Sequence, residues 1–324
     1  MHAMDRLQSA IVEKQNPTVL GLDTQFSHLP QGTRDEVIRQ IGPLPEDPAE
    51  DSAFRDRAEQ LAAQAIKVYN FVLIDGLAYL VPAVKIQIAY YELFGAPGIA
   101  VYEECLAYAK SAGLVAMADA KRNDIGSTAA AYADAFLGET ALGSVRFAAF
   151  DADILTVNPY LGIDGIAPFV DACKAYEKGI FALVKTSNPS SGDFQDLPAQ
   201  DGRPFYEHVA EKLREWGQGL LGASGYSCVG AVVGATYPEE AARLRELLPN
   251  AFFLVPGYGA QGGTAAELAP AFDPRGYGAV VNASRSIIAA PLKNPGLGPV
   301  DAARQEAAHM KASLLATLGG KIGE

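Results

Sequence analysis

Eight short apolar runs recur along this 324-residue chain, and they constrain its fold more than any other feature. Each run is apolar at nearly every position rather than at alternate ones, which is typical of parallel strands that are buried on both faces. The runs are 18-TVLGLD-23, 81-VPAVKIQI-88, 114-LVAMADAK-121, 152-ADILTVNPY-160, 180-IFALVKTS-187, 229-VGAVVGAT-236, 251-AFFLVPGYG-259 and 278-GAVVNASR-285.

Most of these runs are separated by stretches with apolar residues at every third or fourth position, the spacing of a helix with one buried face. We predict helices over 54–73, 98–112, 127–138, 164–178, 204–221, 238–248, 263–272 and 299–318. Strands that alternate with helices form a parallel sheet, and eight such units imply closure into a barrel. The sequence therefore predicts an α/β fold, a (β/α)8 TIM barrel with its core over about 18–290, in a single domain of 1–324. An open doubly wound sheet is the rival fold, but no GxGxxG turn follows the first run.

Two segments are longer than a minimal barrel needs, namely 24–53 after the first strand and 188–204 after the fifth. Long segments that follow the carboxyl ends of barrel strands lie on the catalytic face. We predict that each forms a lid or a wall of the site, with a solvated insertion of no function as the alternative.

The charge and composition exclude several classes of function. The formal net charge is -12, so the surface is expected to repel nucleic acid and anionic membranes. No apolar run reaches the roughly 18 to 20 residues that span a bilayer, and the first residues lack the layout of a secretory signal, so we predict a cytoplasmic protein. The 3 cysteines and 4 histidines are scattered, which predicts neither a disulfide framework nor a metal site nor a Ser/His/Asp triad.

Polar and charged residues occur where the apolar runs end. In a barrel the carboxyl ends of the strands converge on one mouth, which is where catalytic residues lie. These ends carry Asp23, Lys85, Asp119, Lys121, Asn158, Ser187, Gln261 and Arg285. The sequence therefore predicts a polar site at one end of the barrel.

Four of the charges, Lys85, Asp119, Lys121 and Asp124, form an alternating set. Asp119 and Lys121 are two residues apart in one strand, so their side chains are expected to point to the same face. Lys85 lies in an apolar run, where an unpaired ammonium group would be costly. One interpretation is a buried ion-pair network that closes the barrel top. The other is a lysine that neighbouring carboxylates keep protonated so that it can donate a proton, whereas a Schiff-base lysine needs a lowered pKa.

The last two units contain a candidate phosphate site. The glycine-rich loop 256-PGYGAQGGT-264 follows the seventh run and opens a helix, so it presents backbone N–H groups to an anion. The stretch 282-NASRSI-287 follows the eighth run and contains Arg285, whose planar fork of donors suits phosphate oxygens. Because loops after the seventh and eighth strands are the usual phosphate site of such barrels, we predict phosphate binding here.

In their order along the chain, these motifs resemble those of the orotidine 5′-phosphate decarboxylase family, the last enzymes of UMP synthesis. The resemblance runs from about Val19 to Ile288. It depends on LD at 22–23, VK at 84–85, DAKRND at 119–124, TSNP at 186–189, PGYGAQGG at 256–263 and ASRS at 283–286. The two long segments and the DAKRxDI and KTSNPSS motifs resemble the larger bacterial subfamily.

The resemblance implies roles for the site residues. Lys121 would protonate the pyrimidine carbon that loses carbon dioxide, Asp119 would lie against the substrate carboxylate, and Lys85 and Asp124 would complete the charge network. Family members are homodimers, so Asp124 would act in the partner's site, together with Thr128 near the ribose. The family needs no metal or cofactor. The implied substrate-binding residues are Asp23 and Lys85 at the ribose, Ser187 at the pyrimidine, Gln261 and Arg285 at the phosphate, and also Asn188, Pro256, Gly262 and Gly263.

Three other functions suit such a barrel. The 3-keto-gulonate phosphate decarboxylase and hexulose phosphate synthase group shares an Asp-x-Lys-x-x-Asp run but uses magnesium, helped by a Glu at the end of the second strand. Lys85 occupies that position here and would repel the metal. The remaining alternatives are a Schiff-base aldolase and a catalytically silent nucleotide-binding barrel.

Overall fold

Eight parallel strands form a closed barrel in this computed structural model, which describes residues 1–45, 47, 51–234, 238–257, 265–320 and 322–323. The strand order is β1–β8–β7–β6–β5–β4–β3–β2, so each strand pairs with its neighbours along the chain. Each strand falls on one of the eight apolar runs, which confirms the predicted TIM barrel. The strands are β1 (Thr18–Leu22), β2 (Ala83–Gln87), β3 (Val115–Arg122), β4 (Ile154–Val157), β5 (Gly179–Lys185), β6 (Val229–Val233), β7 (Phe253–Pro256) and β8 (Ala279–Ala283).

Helices pack around this barrel, and a helix overlaps each predicted stretch, although the helix Phe205–Trp216 ends early, so the predicted helix 204–221 is wrong over its last five residues. Their bounds are α1 (Ala3–Lys14), α2 (Gln31–Ile41), α3 (Ser52–Leu77), α4 (Ala89–Glu92), α5 (Gly95–Ser111), α6 (Gly126–Phe136), α7 (Ile163–Tyr176), α8 (Phe205–Trp216), α9 (Pro238–Leu247), α10 (Ala265–Leu268), α11 (Arg285–Ile288), α12 (Ala290–Lys293) and α13 (Pro299–Thr317). Residues 263 and 264 of the predicted helix 263–272 lie outside the described residues, and α10 with a 3-10 turn over Ala269–Ala271 accounts for the rest. None of the helices in these ranges is long and apolar enough to cross a bilayer. That the whole chain is one domain stays a prediction.

Both long segments contain regular structure that the sequence did not predict. The segment after β1 contains a 3-10 turn at Phe26–His28 and the helix α2, of which only Val37 is buried. Since so few of its side chains face the core, α2 lacks the apolar spacing by which a helix is predicted. The segment after β5 contains a 3-10 turn at Pro189–Asp193 and an antiparallel bridge between Pro198 and Pro204. A short hairpin, Thr140–Leu142 with Val145–Phe147, was also not predicted.

Two apolar clusters form the core. The larger one lies between the outer face of the barrel and the surrounding helices. The second fills the barrel interior, where Val19, Ile154 and Phe181 pack with Met4 and Leu7 of α1. The Met4 side chain approaches Gly179, the first residue of β5, so α1 covers the amino-terminal end of the barrel. The opposite end is left open for a site.

Candidate active site

A cavity with a volume of about 550 Å³ opens at the carboxyl end of the strands. Residues from all eight strands, or from the positions directly after them, line it, which is the expected place for the active site of a TIM barrel. The sequence-predicted residues in its wall are Asp23, Lys85, Asp119, Lys121, Ser187, Asn188, Pro256 and Arg285. Asn158 lies instead in a neighbouring cavity beside α8.

Asp119 is the centre of the charge cluster at the bottom of this cavity. Its side chain is almost fully buried, and each of its carboxylate oxygens accepts from a different lysine. Nζ of Lys85 on β2 pairs with Oδ2, while Nζ of Lys121 lies 2.5 Å from Oδ1. Thr156 on β4 adds a hydroxyl donor to Oδ1 at 3.0 Å. Asp23, after β1, lies on the other side of Lys85, with Oδ1 3.6 Å from its Nζ.

These neighbours keep the buried groups ionised. Burial alone would lower the pKa of Lys85, but the charges of Asp119 and Asp23 outweigh it and raise the pKa to about 12. Burial alone would raise the pKa of Asp119, but Lys85 and Lys121 hold it well below its usual range. The cluster therefore contains a fixed carboxylate between two ammonium groups at neutral pH. This arrangement suits a site that stabilises a developing negative charge beside a proton donor.

The backbone at Lys121 departs from the regular strand on which its predicted orientation was based. Lys121 has φ 48°, a left-handed conformation that costs a residue with a side chain about 1–3 kcal/mol. The pairing of β3 with β4 shifts between Ala118 and Arg122, and the Lys121 N–H donates to Thr156 Oγ1 at 3.0 Å. Lys121 still lies within β3 and faces the cavity together with Asp119, as predicted, but the strand is bulged there rather than regular. The bulge directs the side chain into the cavity, where it is 45% exposed while Lys85 is buried.

The residues at and after the ends of β7 and β8 also line the cavity. Pro256 is the last residue of β7 and Gly257 follows it, while Arg285 begins the short helix α11 after β8. Ser284 also lines the cavity and packs against Gly21, where a Cβ would lie 1.9 Å from the Ser284 hydroxyl. Only glycine at position 21 permits this approach. The predicted phosphate-binding residues Gln261, Gly262 and Gly263 lie outside the described residues, as does all of 258–264.

Asp124 and Thr128, which were expected to act in a partner's site, are not in the wall of the cavity of their own chain. The Asp124 carboxylate accepts from the N–H of Ile125 at 2.8 Å, and Thr128 is exposed on α6. Ile125 between them is 53% exposed. Three of the four predicted charges thus lie together in one subunit, and the fourth lies on the surface after β3.

The chain matches the sequence model of the orotidine 5'-phosphate decarboxylase / HUMPS family over residues 70–296. The chain belongs to this family. Two relatives named orotidine 5'-phosphate decarboxylase come from Caldicellulosiruptor bescii, 43% identical over 288 residues, and Rhodopirellula baltica, 44% identical over 283 residues. The first match covers 88% of both chains and the second covers 87% of both. The solved structure of Leishmania donovani OMP decarboxylase is 29% identical, with a TM-score of 0.68 over 97% of this chain and 100% of that one.

Several cavity residues of this member of the orotidine 5'-phosphate decarboxylase family were missed by sequence reasoning. Thr156 is hidden within an apolar run, and Asn282, on β8, has a buried side-chain oxygen without a hydrogen-bond partner among the described residues. His28, in the 3-10 turn after β1, accepts from the Gln25 N–H at Nδ1 (3.1 Å). Burial and the nearby charge of Arg285 lower the pKa of His28, against the opposing effect of Asp23. Of these three residues, only Thr156 and Asn282 could have been found from the sequence, because each is a polar residue within an apolar run.

Proposed function

We propose that this chain decarboxylates orotidine 5′-monophosphate to UMP, the last step of de novo pyrimidine synthesis. Its family and the names of its relatives support this reaction. The observation that carries the proposal is Asp119 held between Lys85 and Lys121 in a cavity that Arg285 also lines. A nucleotide offers a reacting ring to the charge cluster and a phosphate to the guanidinium group.

The reaction needs a carbanion to be stabilised and then protonated. When the bond between the pyrimidine ring and its carboxylate breaks, the electron pair stays on the ring carbon and carbon dioxide leaves. The ammonium group of Lys121 stabilises this charge and transfers a proton to the carbon, and the resulting amine takes a proton back from solvent. Asp119 lies against the substrate carboxylate, so that their repulsion is relieved as carbon dioxide departs.

The remaining residues hold the nucleotide. Asp23 and Lys85 bind the ribose hydroxyls, Ser187 with Asn188 binds the pyrimidine, and Arg285 binds the phosphate with the loop that begins at Pro256. Gln261, Gly262 and Gly263 belong to that loop. Because the phosphate lies far from the reacting carbon, its binding energy serves to hold the ring in place for the reaction.

The active enzyme is a homodimer in this proposal. Asp124 and Thr128 lie outside the cavity of their own chain, beside the exposed Ile125, and this placement supports their action in the partner's site. That the enzyme works in the cytoplasm stays a prediction.

No metal or cofactor takes part in the proposed reaction. The family description also covers the HUMPS group, which the sequence raised as a magnesium-dependent rival. In this chain the ammonium group of Lys85 pairs with both Asp23 and Asp119, and a divalent cation there would face that positive charge. Because the Lys85 ammonium group already occupies the space between the two carboxylates, Asp23 and Asp119 form a poor magnesium site.

A decarboxylation assay in the presence of EDTA tests the proposal. The absorbance change of orotidine 5′-monophosphate on conversion to UMP reports turnover directly, and the rate is expected to be the same with and without the chelator. Absence of turnover at micromolar enzyme would reject the proposed reaction. A rate that returned only with added magnesium would favour the sugar-phosphate group instead.

A further inference from the structure

The wall of the cavity between β5 and the segment after it consists of Thr186, Ser187 and Asn188. These three residues follow the end of β5 and belong to neither a strand nor a helix. Contacts with other parts of the chain must therefore fix their position. Two consecutive residues of the following segment, Gln195 and Asp196, fold back onto the end of β5 and contact it there. They are the residues that hold this wall.

Lys185, the last residue of β5, is 1% exposed and is held by groups from outside its strand. It pairs with Asp196 of the following segment, and Glu240 on α9 places Oε1 3.7 Å from its Nζ. Its ammonium group also lies 5.3 Å from the centre of the Tyr206 ring on α8. A buried ammonium group is tolerated only with such partners. The ion pair therefore fixes Asp196, and with it Gln195, against the strand.

Gln195 forms hydrogen bonds with the backbone N–H and the hydroxyl group of Thr186, the residue that follows Lys185. Its Oε1 accepts from the Thr186 N–H at 2.9 Å, and its Nε2 donates to Thr186 Oγ1 at 2.8 Å. The Thr186 hydroxyl in turn donates to Asn188 Oδ1 at 2.6 Å. An amide side chain is suited to this task because it offers an acceptor and a donor side by side.

The opposite side of the wall is closed by Gly234, which follows β6. A Cβ at this position would lie 2.8 Å from the backbone nitrogen of Ser187, and the Gly234 N–H donates to the Lys185 carbonyl at 2.8 Å. Ser187 is therefore confined between a backbone that approaches closely and a hydrogen-bond relay that begins at Gln195.

We propose that Gln195 is a positioning residue that sets Ser187 and Asn188 for the pyrimidine, and that the base of the segment 188–204 is a fixed wall rather than a lid. The proposal rests on the pyrimidine-binding role of Ser187 in the proposed function. Gln195 itself is not in the wall of the cavity and acts through Thr186.

Two variants and a matched control test this role. Gln195→Ala removes both hydrogen bonds to Thr186, and we expect the KM for orotidine 5′-monophosphate to rise about ten- to a hundredfold, with kcat lowered less than KM is raised. Gln200→Ala removes an exposed glutamine from the same segment and is expected to leave KM unchanged. Circular dichroism and thermal unfolding of each variant show whether it is folded.

Gln195→Glu adds a readout that loss of stability would not change. An ionised carboxylate can accept from the Thr186 N–H but cannot donate to Oγ1, whereas a protonated carboxyl group can do both. The ratio of the variant KM to the wild-type KM is therefore expected to fall as the pH is lowered from about 6 to about 4, through the ordinary pKa of a glutamate. The charged groups around position 195 are Lys185, Asp196, Glu240, His208 and Lys212.

The outcomes are distinct from those of the proposed function. Wild-type enzyme without turnover rejects the reaction itself. Wild-type turnover together with an unchanged KM in folded Gln195→Ala would overturn the positioning role. If Gln195→Ala does not fold, the test rests on Gln195→Glu. A KM ratio of that variant to the wild type that does not change with pH would overturn the positioning role of Gln195.

Discussion

The ammonium group of Lys121 lies 2.5 Å from Oδ1 of Asp119, two residues earlier on β3, although Lys121 has left the regular strand conformation. The contact depends on a bulge rather than on strand alternation, and the bulge is held by the Thr156 hydroxyl. Thr156 donates to the same Asp119 oxygen, so one residue orients both partners. A proton donor placed in this way has little freedom to move away from its carboxylate.

Replacing Lys121 tests the proton donor. Lys121→Ala should lower kcat by at least about a thousandfold, because both the proton and the fixed positive charge are lost. The dissociation constant for UMP should change much less, since the phosphate end is untouched. Steady-state kinetics and calorimetric titration measure the two effects. Lys174→Ala, on the surface of α7, serves as the control, and near-normal turnover in Lys121→Ala would refute the assignment.

The buried pair of Asp119 and Lys85 predicts how stability depends on pH. The pKa of Lys85 is raised to about 12, so its contribution is complete below its unfolded value of 10.5 and is lost as the pH rises through 12. The pKa of Asp119 is lowered, so its contribution is present above its unfolded value of 3.8 and is lost as the pH falls below it. Both contributions are therefore complete between these unfolded values.

Asp119→Asn should consequently lower the free energy of unfolding by about 3–5 kcal/mol across that range, and by less at either extreme. Denaturant unfolding at a series of pH values measures this difference. Asp171→Asn, which removes an exposed ion pair with Lys174, is the control and should change the free energy by less than about 1 kcal/mol. A loss in Asp119→Asn that stayed constant from acid to alkaline pH would contradict the electrostatic explanation.

Arg285 is expected to act on the phosphate and on nothing else. Arg285→Ala should raise the KM for orotidine 5′-monophosphate about a hundredfold, the cost of losing charge-assisted hydrogen bonds. For orotidine, which lacks the phosphate, the same variant and the wild type should have equal kcat/KM. Arg146→Ala, on the exposed hairpin, is the matched control. An equal loss with both substrates would place Arg285 elsewhere in the mechanism.

A mixture of two inactive variants tests the shared site. Asp124→Ala and Lys121→Ala subunits are each inactive alone, but half of the randomly formed dimers pair one with the other, and one of the two sites in such a dimer has both residues. Activity of the mixture should therefore reach about a quarter of the wild-type value. Exchange of differently tagged subunits is verified by co-purification. If exchange is proven and activity does not return, Asp124 acts within its own chain.

The sequence predicted the barrel because its eight apolar runs form the strands. It predicted eight wall residues of the cavity because the carboxyl ends of barrel strands meet at one mouth. Other features depend on contacts that no local pattern encodes. Gln195 has its role only because its segment folds back onto β5, and α2 has too few buried residues for a helical pattern. Lys121 reached the predicted place by a bulge that regular alternation excludes.

The helix α1 determines how the products leave. Met4 and Leu7 fill the amino-terminal end of the barrel together with Phe181, and Val232 and Leu254 belong to the same cluster while also lining the cavity. A packed apolar plug thus separates the bottom of the active site from solvent. Carbon dioxide formed beside Asp119 therefore cannot leave through the amino-terminal end of the barrel and has to depart on the side of the strands' carboxyl ends.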